Sequence, residues 1–222
     1  MNLDRLLVAI PSRANASGLT SLLEHLRQMG LGGVVVYDNG YTEEGFIESI
    51  SEKCFVVDAR GWSFYAMWNH AWEVSSHGFD AVALLNDDIV LHDDSLAEAF
   101  RVLMASKYTG IVGLNYDRRV SQGTTPNAGS REVEGSYRNH GIGGHAFLVK
   151  ASTFGDVPKI DEGYVLWYGD DELFAAMKAY GYSLKIALGA PVDHEASTTS
   201  NQFPEMLART GDDAKLFYSR WG

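Results

Sequence analysis

The sequence predicts an α/β protein, with a mostly parallel central sheet flanked by helices in a single domain. Three observations carry this. Short apolar runs recur at Leu6–Ile10, Val34–Tyr37, Phe55–Val57 and Ala81–Leu85. They lack the in–out alternation of a half-solvated strand and suit strands buried on both faces. Stretches with apolar residues at helical spacing lie between them, and strand–helix alternation implies right-handed βαβ units. Finally, 222 residues at 45% hydrophobic content are enough to bury a sizeable core.

In chain order, the first strand Leu6–Ile10 ends in Pro11-Ser12-Arg13 and a small-residue turn. Leu19, Leu22, Leu23, Leu26 and Met29 then mark a helix that Gly30 can stop in the left-handed conformation. Val34–Tyr37 closes on Asp38-Asn39-Gly40, and Phe46, Ile47 and Ile50 mark a short helix. Phe55–Val57 ends at Asp58, and Phe64, Tyr65, Met67, Trp68, Ala71 and Trp72 form one helical face. Ser95 is a candidate cap for a helix carrying Leu96, Ala99, Phe100 and Leu103, and Ile111–Leu114 is the next strand. Asn115–Gly144 then holds six glycines and four arginines with few aliphatics, which reads as a mobile flap. His145–Val149 and Ser183–Ala187 return to strand pattern around a helix that begins near Asp170, and Asn201–Gly222 reads as a polar-aromatic tail.

The chemistry concentrates where the Ala81–Leu85 run breaks into Asn86-Asp87-Asp88 before Ile89-Val90-Leu91. A buried parallel strand ends at the carboxyl edge of its sheet, where open α/β folds bind ligands. Adjacent carboxylates there repel unless a positive group joins them. A hard divalent cation shared with substrate phosphates suits them, and so does a polar strand-end turn. The turn PSRANAS after the first strand has neither G-x-G-x-x-G nor a Walker lysine, so a bound phosphate needs another counter-charge. Arg13 is a candidate for it. A second cluster, Trp167-Tyr168-Gly169-Asp170-Asp171-Glu172, places three acids at a helix start, more than the helix dipole needs. His194 follows at the end of the last strand pattern, where it reads equally as a structural histidine or as a ligand.

The composition excludes some partners. A net charge of −11 argues against non-specific binding to nucleic acid or anionic membranes. Cys54 is the single cysteine, so no internal disulfide forms and the chain fits a reducing cytoplasm. The N-terminal apolar run is too short for a signal peptide, and no run approaches the ~18 apolar residues of a membrane span.

Taken in order, LLVAIPSR at 6–13, VVVYDNG at 34–40, LLNDDI at 84–89, GIGGHAFLVK at 141–150, DEGYVLWYGDDEL at 161–173, AYGYSLKI at 179–186 and VDH at 192–194 resemble GT-A glycosyltransferases, family 2 in particular. The resemblance implies a GT-A catalytic domain over 1–222. A nucleotide-binding half would span 1–114, a flap and acceptor half 115–194, and a tail 195–222. Pro11 and Arg13 would border the nucleotide, and Asp38 with Asn39 would hold base or ribose. Asn86-Asp87-Asp88 stands in place of the D-x-D motif, with Asp88 as the metal-binding acid and Asn86 and Asp87 on the donor side. Asp170 matches the catalytic acid, and because Gly169 precedes it where the family carries Glu, Asp171 is the neighbouring candidate. His194 matches a late histidine that some relatives place on the metal. The closing FYSRWG is similar to the last segment of some soluble relatives, which implies that Arg220 or Trp221 folds back near the site.

The expected activity is therefore metal-dependent, inverting transfer of a sugar from a nucleotide-diphosphate sugar, a UDP-sugar first, to a carbohydrate or other hydroxyl acceptor. The cofactor would be Mn²⁺ or Mg²⁺, with no nucleic acid and no membrane span involved. Two alternatives stand beside it: a nucleotidyltransferase that forms sugar nucleotides, and a non-catalytic domain that binds sugar nucleotides or glycans. The nucleotidyltransferase ranks second because PSRANAS lacks the glycine spacing of that class.

Overall fold

A computed structural model describes residues 2–40, 45–116, 129–135, 141–194 and 208–222. The core is a nine-stranded sheet in the order β3-β2-β1-β4-β8-β6-β9-β5, with β7 also paired to β9. Its strands are β1 (Leu6–Ser12), β2 (Gly33–Asp38), β3 (Phe55–Asp58), β4 (Ala81–Leu85), β5 (Ile89–Leu91), β6 (Thr109–Asn115), β7 (Ser130–Val133), β8 (Ala146–Lys150) and β9 (Ser183–His194). The helices are α1 (Ala16–Leu26), α2 (Phe46–Ser51), α3 (Phe64–Ser75), α4 (Ser95–Met104), α5 (Gly169–Ala179) and α6 (Thr210–Trp221).

The sheet is mostly parallel, as expected. β1 pairs in parallel with β2 and β4, β2 with β3, and β6 with β9. The exceptions matter for the site. β8 runs antiparallel to both β4 and β6, while β5 and β7 run antiparallel to β9.

Period-two alternation divides β1 between two cores. Leu6, Val8 and Ile10 pack with the leucines of α1 and with Leu96, Phe100 and Leu103 of α4. Leu7 and Ala9 pack on the opposite face with Trp68 and Trp72 of α3 and Leu173, Phe174 and Met177 of α5. Burial on both faces explains why the β1 and β4 runs read as continuously apolar. The Phe55–Val57 run departs from that expectation: β3 is an edge strand, and Phe55 is exposed.

Several local readings change. α1 ends at Leu26, and Gly30 takes its left-handed φ of 64° only beyond the closing turn. Ser95 is not a cap: Asp94 holds that position at φ 65°, and the Ser95 hydroxyl donates to the Pro191 carbonyl at 2.7 Å. That bond ties α4 to β9, whose run continues through Pro191 to His194 instead of stopping at Ala187. Pro191 sits at a register shift against β6, where a missing N–H is tolerated. The expected flap falls largely outside the described residues (117–128 and 136–140), but its Ser130–Val133 portion is strand β7 on β9. In the expected tail, Thr210–Trp221 forms α6, and 195–207 lie outside the described residues.

Candidate active site

β1, β2 and β3 end in register, Ser12 beside Asp38 and Asp38 beside Asp58. A cleft of about 1060 Å³ opens over this carboxyl edge. Of the residues singled out from sequence, Pro11, Arg13, Asn39, Asn86, Asp87, Asp88, Asp170, Asp171 and His194 all line it. Asp38 lies behind the wall: it is 8% exposed and accepts from the Gly40 amide at 2.9 Å, shaping the turn that presents Asn39.

The Asn86–Asp88 turn is held from several sides. The Asn86 amide donates to the His145 carbonyl at 2.8 Å, and Asn15 Nδ2 donates to the Asp87 carbonyl at 3.0 Å. Asn15 also caps α1 by accepting from the Gly18 amide, so one side chain links helix start to strand end. Ser12 Oγ donates to Asp87 Oδ2. Burial pushes the Asp87 carboxyl up to about 6, against the lowering effect of hydrogen bonds from Ser12, Asn15 and the Arg13 amide. Asp87 is thus a buried brace under the turn.

Asp88 points to the other side. Strand β5 places Ile89 opposite His194 on β9, and this register brings Asp88 Oδ1 to 3.0 Å from His194 Nε2. The two atoms are close without the alignment of a hydrogen bond. The His194 ring stacks on His145, centroids 4.3 Å apart and planes 8° from parallel. Burial first, and His194 second, push the His145 imidazole down to about 3, so it is neutral near pH 7. Buried Asn86 Oδ1 has no hydrogen-bond partner among the described residues. A carboxylate oxygen, an imidazole nitrogen and an unsatisfied amide oxygen on one cleft wall form a donor set suited to a hard or borderline divalent cation. Among the described residues no group of three or more His, Cys, Asp or Glu is arranged to hold a metal ion by itself.

The acid cluster divides at the start of α5. Successive helical residues are rotated by about 100°, so three in a row cannot share a face. Asp170 and Asp171 line the cleft. Glu172, 6% exposed, turns away, accepting from the Asp161 amide at 2.7 Å and from Arg220 Nη1 at 2.7 Å. Arg220 also pairs with Asp161, so it braces the cluster from behind, while Trp221 stays 37% exposed. Gly144 faces Asp170 closely: a Cβ built there would lie 2.9 Å from Asp170 Cγ and collide with Oδ2. Gly169 packs on the Tyr65 ring, where a Cβ would lie 2.6 Å from Cδ1, and the Tyr65 hydroxyl donates to the Leu166 carbonyl at 2.9 Å.

Sequence reasoning missed His145, Trp62 and Arg209, all of which line the cleft. His145 read as the first residue of a strand, although a histidine after Gly143-Gly144 was a visible signal. Trp62 precedes the helical pattern and packs edge-on to His70 at 5.4 Å, beside Asn39. Arg209 lay in the presumed tail.

Sheet order, the antiparallel β8 insertion and a cleft over the carboxyl edge are those of the GT-A fold. Solved structures with this fold include a mannosyltransferase from Pyrobaculum calidifontis in complex with GDP-Man and Mn²⁺, at 17% identity, TM-score 0.63, covering 88% of this chain and 58% of that one. GalNAc-T7 with UDP, GalNAc and Mn²⁺ matches at 13% identity and TM-score 0.66, over 87% of this chain and 44% of that one. Glucosyl-3-phosphoglycerate synthase from Mycobacterium tuberculosis, with Mn²⁺, UDP and phosphoglyceric acid, matches at 13% identity and TM-score 0.61, over 94% and 76%. This chain thus spans about half the length of the first two. No protein-family profile and no curated protein sequence matches it. Among the described residues no helix is long and apolar enough to cross a membrane.

Proposed function

We propose that the chain is a metal-dependent, inverting glycosyltransferase that moves a sugar from a nucleoside-diphosphate sugar to an acceptor hydroxyl. The observation that carries this reading is one cleft of a GT-A fold lined by the Asp88–His194 pair and by the Asp170–Asp171 carboxylates. Its volume reaches the top of the ~300–1,000 Å³ range of small-molecule sites, which suits a ligand as large as a nucleotide sugar. The solved neighbours hold GDP-Man or UDP with Mn²⁺, which supports a nucleoside diphosphate donor, with UDP-sugars tested first. The single free Cys54 keeps a cytoplasmic setting as part of the reading.

In this reading Pro11, Arg13 and Asn39 border the nucleotide, and Asp88 and His194 hold Mn²⁺ or Mg²⁺, with Asn86 beside them. When bound, the cation neutralises charge on the leaving diphosphate and acts as a Lewis acid. Asp87 and Ser12 hold the metal-side turn in place. Asp170 accepts the acceptor hydroxyl proton as that oxygen bonds to the anomeric carbon. The carbon–oxygen bond to the diphosphate breaks on the opposite face, and the diphosphate leaves with the electron pair. Attack opposite the leaving group inverts the centre.

The direct test is thermal shift of the full chain against a panel of nucleotide sugars with and without Mn²⁺. A ligand at ~100 times its Kd stabilises by about 2.7 kcal/mol, well above detection. Stabilisation that needs both sugar nucleotide and Mn²⁺ is the expected outcome; no shift with any donor defeats the reading. Gly144→Ala probes the acid side. The added methyl displaces the Asp170 carboxylate, a movable group, so the fold survives with about 1–3 kcal/mol of overpacking. A misplacement near 1 Å lowers turnover by roughly 10²-fold. Steady-state kinetics should show kcat reduced on that scale with donor KM near wild type.

A further inference from the structure

Helix α6 begins with an acid the transfer chemistry does not use. Asp213, in its first turn, is 2% exposed. Its Oδ1 accepts from the Val165 amide at 3.0 Å, and its Oδ2 accepts from the Leu166 and Trp167 amides, each at 3.0 Å. Three consecutive peptide N–H groups of a cleft-lining segment therefore converge on one buried carboxylate.

The same segment is held elsewhere along its length. From α3, the Tyr65 hydroxyl donates to the Leu166 carbonyl at 2.9 Å. From α6, Arg220 binds Asp161 before the segment and Glu172 after it. Leu216 of α6 packs near Gly163. α6 thus straps the segment at its start, middle and end. Beyond Trp167 the chain turns sharply at Tyr168, whose φ is 70°, and enters α5 with Asp170 and Asp171 in the first turn. Asp170 and Asp171 thus lie only three and four residues beyond Trp167.

An apolar side chain would pack α6 on the core but leave the Val165, Leu166 and Trp167 amides without this acceptor, at about 1–3 kcal/mol for each buried donor left unsatisfied. Asp213 therefore serves cohesion as well. What a carboxylate adds is direction: charge-assisted hydrogen bonds fix the planes of the peptides that donate to it.

We propose that Asp213 is a positioning residue for transfer. Through the Val165–Trp167 amides it sets the acceptor-side wall of the cleft and the placement of Asp170 and Asp171, without touching the donor half at Arg13, Asn39 and Asp88. The proposal rests on the transferase reading above.

The test compares full-length wild type, D213N and D213A in three measurements. These are Mn²⁺-dependent binding of UDP-glucose and GDP-mannose, hydrogen exchange of the 165–167 amides, and nucleoside diphosphate release with a pool of methyl glycosides as acceptors. D213N keeps one accepting oxygen in nearly the same shape; D213A keeps none. The expected result is donor Kd within about twofold of wild type for both. Exchange at 165–167 should be faster, and kcat about tenfold lower in D213N and lower still in D213A. Should D213A fail to fold, D213N alone decides. Wild-type kcat in folded D213N overturns the proposal even if the melting temperature falls, because the role is then cohesive only. Equal loss of donor affinity overturns it too, because the damage is then general. A wild-type chain that binds no donor of the nucleotide-sugar panel overturns the transferase reading instead, and the assignment goes with it.

Discussion

Asp88→Ala is expected to abolish Mn²⁺-dependent binding of nucleotide sugar and, with it, all measurable transfer. Asp88 is the one carboxylate of the Asn86–Asp88 turn directed at His194, with Oδ1 and Nε2 3.0 Å apart. Its neighbour Asp87 is bound to Ser12 beneath the turn. Loss of an outer-shell partner of a metal costs about 10–100-fold, and loss of a direct anionic donor exceeds that. The structural cost is smaller. Asp88 Oδ1 and His194 Nε2 are close but make no aligned hydrogen bond, so the fold loses less than the ~1 kcal/mol of one hydrogen bond. The variant should therefore melt close to wild type without ligand and gain nothing from donor plus Mn²⁺. His194→Ala should weaken metal dependence in the same direction. Asp87→Asn should act mainly on the geometry of the turn, since an asparagine oxygen can still accept from Ser12. Thermal shift and transfer assays with added EDTA separate these cases; full wild-type activity in excess EDTA would end the metal assignment.

Different parts of this site were visible in the sequence to different degrees. Strands β1 and β4 were legible because burial on both faces leaves an unbroken apolar run, whereas β3, at the sheet edge, is apolar without being buried, with Phe55 74% exposed; each strand ends where a polar turn begins. The residues proposed for the donor side follow directly, since they sit at or just beyond those strand ends. Pairing of Asp88 with His194 was not derivable from either residue alone. It depends on β5, a three-residue strand, finding its antiparallel register on β9. Nothing local in Ile89–Leu91 specifies that partner. His145 was hidden for a related reason: its stacking on His194 comes from β8 lying between β4 and β6. The split in the acid cluster was partly readable, because helical rotation already forbids three consecutive acids from sharing a face. The resemblance brought Arg220 back near the site, but not its partners Glu172 and Asp161, which the fold alone brings to it. Asp213 shows the same limit. A buried acid is recognised by the amides that surround it, and Val165, Leu166 and Trp167 carry no side-chain signal that their N–H groups turn toward one another.

Asp170→Asn is expected to lower kcat by roughly 10²–10⁴, the range for removing a general base, with donor affinity nearly unchanged. That range corresponds to about 2.7–5.4 kcal/mol of transition-state stabilisation. The substitution preserves shape and hydrogen-bonding capacity while removing the group that accepts the proton. Position favours Asp170 over its neighbours. A Cβ at Gly144, which also lines the cleft, would collide with the Asp170 carboxylate, so the glycine leaves room for it there. Glu172 is committed to the Asp161 amide and to Arg220, so Glu172→Gln should reduce melting temperature more than turnover. Asp171 shares the cleft and is the remaining competitor. Steady-state kinetics on Asp170→Asn and Asp171→Asn discriminate between them. If Asp170 is the base, kcat collapses for the first variant, and the second changes it by less than tenfold. The reverse pattern moves the base one residue along the helix. If both retain near wild-type kcat, no carboxylate of α5 takes the proton, and the displacement proposed for this cleft loses its acid–base step.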